Sequence, residues 1–227
     1  MIFTPSGRTQ AMATFQPMFK VIPEGIEGDC TVSHFGVDEQ AARATSLRAV
    51  VTGRRDAYVA PGVYCQLTVK GALMMSDTSM EKRSNLEVVR MSRGNVLIAG
   101  LGLGMVLLPI LEKDSVTTVT VIEKYADVVK LVEPSIRKAA GEHSSKLKVI
   151  VADIFEWQPP KAEKWDTIYF DIWPTICLDN LEEMTTLHRK FARKHAPGAW
   201  VDSWMRSDLK AKKRSQAERT VRYGVRW

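Results

Sequence analysis

Residues 94–124 read GNVLIAGLGLGMVLLPILEKDSVTTVTVIEK, and this stretch decides the fold. Asn95 to Ala99 is continuously apolar after its first residue, the mark of a strand buried on both faces of a parallel sheet rather than one with a wet side. Three glycines follow on alternate positions, Gly100, Gly102 and Gly104. Glycine there permits positive φ and lets a ligand approach the backbone without meeting a Cβ. A short apolar segment, MVLLPILEK, reads as a helix. Its Pro109 is tolerable if the helix starts near Val106, because first-turn amides lack partners anyway. The Val- and Thr-rich run VTTVTVIEK reads as the next strand and ends at Glu123. A carboxylate at that point can accept both hydroxyl hydrogens of a ribose in charge-assisted bonds. The ligand implied is a nucleoside or nucleotide derivative.

The pattern continues outward. Helix ADVVKLVEPSIRKAAG is expected to bend or split at Pro134, and strand LKVIVAD follows. Strand WDTIYFDIW comes next, then helix DNLEEMTTLHRKFARKHAPG and a last strand AWVDSWM. The last helix has Asp179 or Asn180 as cap, Glu182 and Glu183 in its first turn, basic residues at its end and Gly198 beyond. Alternating strands and helices imply a doubly wound, mostly parallel α/β sheet. In such sheets ligands lie across the carboxyl ends of the strands.

Upstream the signals differ. Residues 1–28, with Pro5, Pro17 and Pro23, read as an irregular arm. DCTVSHF reads as a strand, Asp38 to Val51 as a helix capped by Asp38, and GVYCQLTVKGALMMSDT as a hairpin turning at Lys70-Gly71. SMEKRSNLEVVRMS reads as one amphipathic helix. The expected organisation is an N-terminal arm and hairpin region over 1–90, a Rossmann-like ligand-binding domain over 91–205, and a basic tail over 206–227.

Composition narrows the function classes. The 227 residues are 45% hydrophobic and 26% charged, the balance of a globular protein. No run approaches the ~18 apolar residues of a membrane span. The N-terminus lacks the basic-then-apolar layout of a signal peptide, so the cytoplasm is the expected compartment. Cys30, Cys65 and Cys177 are odd in number and far apart. That argues against a disulfide framework and a zinc knuckle, and the four histidines show no metal-ligand spacing. From Arg206 onward eight Lys and Arg stand against Asp208 and Glu218, a net +6 that equals the whole chain's +6, so residues 1–205 are formally neutral. Such a tail reads as a solvated C-terminal helix, with contact to nucleic acid as the alternative.

The spacing GxGxG departs from the dinucleotide fingerprint GxGxxG, and no GKS or GKT follows it, which excludes a P-loop. GxGxG with an acid at the end of the next strand resembles the class I S-adenosylmethionine-dependent methyltransferases, over roughly Asn95 to Trp204. The resemblance implies S-adenosylmethionine as cofactor. It assigns Gly100, Leu101, Gly102, Gly104, Glu123 and Lys124 to the donor. It also assigns Asp153 to the adenine amino group, Ile154 to the ring face, and Asp171 to the catalytic position at the end of the fourth strand. Trp173 and Pro174 would wall the substrate pocket. Ile98 stands where many of these enzymes have an acid. The spermidine-synthase-like branch also lacks that acid and also places a β-rich region first. Against that branch, Lys70 stands where it usually has Asp, Asp77 falls roughly in its acidic segment, Leu103 replaces an Asp of its glycine turn, and the motif around Asp171 lacks a second Asp. The chain is therefore similar to small methyltransferase-like proteins of phage genomes.

The activity so implied is methyl transfer to an unidentified N or O nucleophile. One alternative is aminopropyl transfer from the decarboxylated donor, with Asp77 and Asp171 facing a polyamine. The other is a nucleoside-binding module with a nucleic-acid-contacting tail. No NPPY- or DPPY-type tetrad and no Pro-Cys nucleophile is present, which disfavours exocyclic-amine and cytosine-C5 methylation of bases. Trp200, Asp202, Ser203, Trp204 and Arg206 are candidates for the acceptor site. Oligomeric state, a homodimer included, is left open by the residues.

Overall fold

A computed structural model describes residues 14–52 and 58–223. The stretch quoted above becomes β5 (Gly94–Ala99), a glycine turn, α4 (Leu107–Leu111) and β6 (Val116–Glu123). With β7 (Leu147–Val151), β8 (Trp165–Phe170) and β9 (His195–Ser203) these strands form a five-stranded sheet of order β7-β6-β5-β8-β9. Every pairing in it is parallel. This is a Rossmann-like, doubly wound arrangement: the chain winds outward from β5 to β7, returns to β8 on the other side of β5, and winds outward again.

The apolar run in β5 has two audiences. Val96 and Ile98 pack in one core with Val132 and Ile136 of α5 (Ala126–Ala140). Leu97 and Ala99 pack in the other with Met184, Leu187 and Phe191 of α6 (Asn180–Phe191). Alternate side chains of a strand point to opposite faces, so a strand sandwiched between two helical layers must be apolar throughout. Helix α5 buries Val128, Val132, Ile136 and Ala140, one row spaced by four. Complete burial of each such Val or Ile side chain contributes roughly 1.5–3 kcal/mol. Pro134 lies inside α5 and does not split it. Pro109 is the third residue of α4, within the first turn, where no helical N–H is lost.

A second, antiparallel sheet of order β1-β2-β3-β4 precedes this one: β1 (Gly25–Glu27), β2 (Cys30–Val37), β3 (Gly62–Val69) and β4 (Ala72–Ser76). The β3–β4 hairpin turns at Lys70 (φ 51°) and Gly71 (φ 75°), the two positive-φ positions of a type I′ turn. Helix α1 (Glu39–Thr52) starts as its sequence suggests, with the Ala41 N–H donating to Asp38 Oδ1 at 2.7 Å.

Several local expectations need correction. Residues 14–28 are not simply irregular: they hold a 3₁₀ turn, Met18–Lys20, and β1. Pro5 lies outside the described residues. The helix expected over SMEKRSNLEVVRMS is two, α2 (Ser79–Ser84) and α3 (Leu86–Met91). They part at Asn85, which is fully buried, donates through Nδ2 to the Glu81 carbonyl and accepts from the Tyr169 hydroxyl at 3.0 Å. Asp179 precedes α6 without a side-chain capping bond, and Asn180 Oδ1 instead accepts the Cys177 N–H at 2.8 Å. Gly198 does not close α6. A 3₁₀ turn, Ala192–Lys194, does, and β9 begins at His195 with Gly198 (φ 73°) at the irregularity in its pairing with β8. The basic tail forms α7 (Arg206–Tyr223), anchored by buried Leu209, with residues 210–218 exposed. The side chains of Arg219 and Arg222, and Arg226 entirely, lie outside the described residues. Among the described residues no helix is long and apolar enough to cross a membrane.

Candidate functional site

The winding reverses between β5 and β8, and there the turns after the two strands diverge and leave a crevice. At its floor the strands are drawn together: the Asp171 N–H donates to the Ala99 carbonyl at 2.9 Å, and the Gly100 N–H to the Ile122 carbonyl at 2.9 Å. Gly100 has φ +96°, and a Cβ on it would lie 2.0 Å from the Asp171 carbonyl oxygen. No other residue type fits between these strand ends. Above the floor opens a cavity of about 540 Å³, in the size range of sites for small ligands and cofactors.

Of the residues singled out in the sequence, Gly100, Leu101, Gly102, Glu123, Lys124, Asp153, Ile154, Asp171, Trp173 and Pro174 line this cavity. Gly104 and Asp77 do not. Gly104 sits against α5, where a Cβ would meet Ile136 at 2.6 Å. Asp77 is buried to 1% exposure and does structural work: Oδ2 accepts the Met18 N–H at 2.8 Å, Oδ1 accepts the Cys65 N–H at 2.7 Å, and Lys82 Nζ lies 3.5 Å away.

The glycine turn is not bare in the way its sequence implies. Gly102 has φ +51°, and the space its Cβ would take is filled by the Met75 thioether, 2.2 Å from that position. The same sulfur accepts the Leu103 N–H at 3.0 Å. Met75 belongs to β4, so the N-terminal hairpin reaches over the turn and covers it with a flexible side chain.

Glu123 is buried, and both its oxygens hold backbone: Oε2 accepts the Leu101 N–H at 2.7 Å and Oε1 the Tyr125 N–H at 2.8 Å. Burial raises its pKa, and these bonds, with those of the Lys124 and Gly102 amides, oppose the rise. Asp153 is paired with Lys124 at 2.9 Å and accepts the Phe155 N–H at 2.9 Å. The hydrogen bond from Lys124 and then that from Phe155 hold its pKa below the ordinary value. The loop that carries Ile154 is tied down from α6, where Lys190 Nζ donates to the Ile154 and Phe155 carbonyls at 3.1 and 2.6 Å. Trp173 is buried in the core on the α6 side and donates through Nε1 to Glu183 at 2.6 Å, so its ring is fixed by packing and only one side meets the cavity.

Asp171 differs from these. Its carboxylate accepts no hydrogen bond from any described residue, and burial alone pushes its pKa up to about 7. Glu81 of α2, 8% exposed, lines the same cavity. Burial, then the neighbouring Asp171 charge, raise the Glu81 pKa to about 8 against one bond from the Ser76 N–H. Nothing in the sequence marked Glu81. In the short segment SMEKRS an acid among basic residues reads as a solvated face, and its burial follows only from the fold, which ties Ser84 to Trp204 and the adjoining Asn85 to Tyr169. The rest of the roof comes from the hairpin, with Leu67, Val69, Lys70 and Met74, and from Trp204 at the end of β9. The other acceptor-site candidates sit elsewhere. Trp200, Asp202 and Ser203 line a separate cavity of about 210 Å³, where the Tyr169 and Trp200 rings stack at 6.0 Å. Arg206 lines neither.

No family model and no curated protein matches the chain. Solved structures do. The CcbJ methyltransferase from Streptomyces caelestis is 17% identical over 53% of this chain and 46% of its own, with a TM-score of 0.42. The glycopeptide N-methyltransferase MtfA, complexed with S-adenosyl-L-methionine, is 16% identical over 52% of this chain and 51% of its own, at 0.41. Spermidine synthase from Thermotoga maritima is 17% identical over 66% of this chain and 47% of its own, at 0.41. The match spans about half the length of each of those proteins. At these scores the likeness is loose, and the chemistry of the cavity has to be read from its own residues.

Proposed function

We propose that the protein is an S-adenosylmethionine-dependent methyltransferase acting on a nitrogen or oxygen nucleophile. The observation that carries this reading is the convergence of the glycine turn, Glu123, Asp153 with Ile154, and Asp171 on one nucleoside-sized cavity at the switch point of the sheet. The residues suit the donor. Glu123 is fixed by two backbone bonds and keeps lone pairs for a pair of ribose hydroxyls. Asp153 and Ile154 line the same cavity, and in this reading Asp153 accepts from the adenine amino group and Ile154 covers the ring. The cover over Gly102 is one methionine side chain rather than backbone, so it can yield to a ligand. When bound, this donor supplies an electrophilic methyl carbon on a sulfonium that carries its own leaving group.

The chain's own contribution is then alignment and one proton. Fixing acceptor and donor in line lowers a barrier by up to about 7–11 kcal/mol. Asp171, with a pKa near 7, is partly ionised at neutral pH and strong enough a base to take a proton from the acceptor or hold it in place. The aminopropyl alternative loses Asp77 as a substrate-facing group, since it serves the Met18 and Cys65 amides and does not line the cavity. The test is calorimetric titration with S-adenosylmethionine and S-adenosylhomocysteine. Binding of both, with loss in Gly102→Val and Glu123→Ala variants that still melt cooperatively, supports the reading. No heat and no rise in melting temperature with either compound overturns it.

A further inference from the structure

We infer that Glu81 and Asp171 together form an anionic subsite that selects an acceptor bearing a protonated amine. The inference deepens the methyltransferase reading by naming its substrate class.

Both groups belong to the wall of the large cavity, and neither has a cationic partner among the described residues. The cations at hand are placed elsewhere: Lys82 pairs with Asp77, Lys124 with Asp153 and Lys70 with Asp29, and Arg83 lines the separate cavity of about 210 Å³. Two carboxyls in a largely apolar space are costly unless something compensates their charge, and when no protein cation does, a ligand cation can. Both carboxyls are pushed toward the protonated form, Asp171 by burial and Glu81 by burial and then by the neighbouring Asp171 charge. Trp204, Met74 and the fixed face of Trp173 complete the surroundings, apolar and aromatic walls of the kind that accept an alkylammonium. Glu81 acts here as a specificity-determining residue: it lines the same cavity as the group that would handle the proton, on an element of the N-terminal half.

The experiment titrates the full chain at pH 8 with n-butylamine, benzylamine and 1,4-diaminobutane, and with 1-butanol and benzyl alcohol as neutral counterparts. The amines bind and the alcohols do not, and Glu81→Gln and Asp171→Asn each weaken amine binding by about tenfold or more. The melting temperature supplies a second readout. Glutamine keeps the bond from the Ser76 N–H and removes an uncompensated charge, so Glu81→Gln melts at the wild-type temperature or above, whereas a structural role would lower it. Alcohols binding as well as amines, no amine binding, or amine affinity unchanged in both variants would overturn the inference. Titration with S-adenosylhomocysteine in the same samples separates the two readings: its failure removes the donor and leaves the amine result to decide the subsite.

Discussion

Two acids of the N-terminal half, Asp77 and Glu81, lie one turn of chain apart and have opposite fates. Asp77 is buried with two backbone N–H donors and a lysine, so its charge is compensated by the protein. Glu81 is buried with one N–H and a second carboxyl for a neighbour, so its charge is not. The same contrast separates the two sheets. The parallel sheet supplies carboxylates held by its own backbone, Glu123 above all. The hairpin and α2 supply a roof whose polar member stays uncompensated until something enters. A satisfied buried acid is architecture, and an unsatisfied one is a place for a ligand.

Variants can break that comparison, beginning with the largest effect. Asp77→Ala removes a satisfied buried carboxylate and strands the Met18 and Cys65 amides and Lys82. Stability should fall by about 3–5 kcal/mol, as read from urea midpoints. Asp171→Asn should cost little stability or none while abolishing methyl transfer to an amine. If it unfolds the protein as Asp77→Ala does, the distinction fails. Glu123→Ala comes next. It loses two N–H anchors of the glycine turn, for on the order of 2–5 kcal/mol of stability, and donor binding with them.

The pH dependence sharpens the contrast. The folded pKa values of Asp171 and Glu81 are raised to about 7 and about 8, above their unfolded values. The stability they contribute is complete below the unfolded values near pH 4 and is lost as pH rises through 7 to 8. The groups facing them are each other, the Ser76 N–H and the Tyr169 phenol, whose own pKa is raised well above its usual value chiefly by burial. The urea midpoint should therefore fall between pH 5 and 9 in the wild type and fall less in Glu81→Gln. Equal slopes would show that Glu81 does not titrate in this range. The smallest effect belongs to α7. Replacing exposed Lys212, Lys213 and Arg214 by Gln should move stability by no more than about 0.5 kcal/mol. If the wild type binds duplex DNA at low salt and this variant does not, the tail is a nucleic-acid contact; equal behaviour leaves it a solvated helix.

The parallel sheet was legible because its signals are local. A continuously apolar run such as Val96–Ala99 suits a sandwiched strand, the alternating glycines suit a turn, and Glu123 ends a strand whose length follows from its Val and Thr residues. Hairpin turn Lys70-Gly71 was legible for the same reason. The break at Asn85 was not, because it depends on the Tyr169 hydroxyl, 84 positions away. Nor was the reason for Gly102, because the atom it makes room for, Met75 Sδ, comes from the other sheet.

The sequence by itself determined the order of strands and helices in the parallel sheet, the turn that opens the crevice and the acid that closes the next strand, since side-chain periodicity and backbone freedom act over a few residues. Only the tertiary structure decided which carboxylates share the cavity. Whether a buried charge is compensated depends on groups brought from distant parts of the chain, and Asp77, Glu81 and Asp171 look alike until the fold has chosen their neighbours.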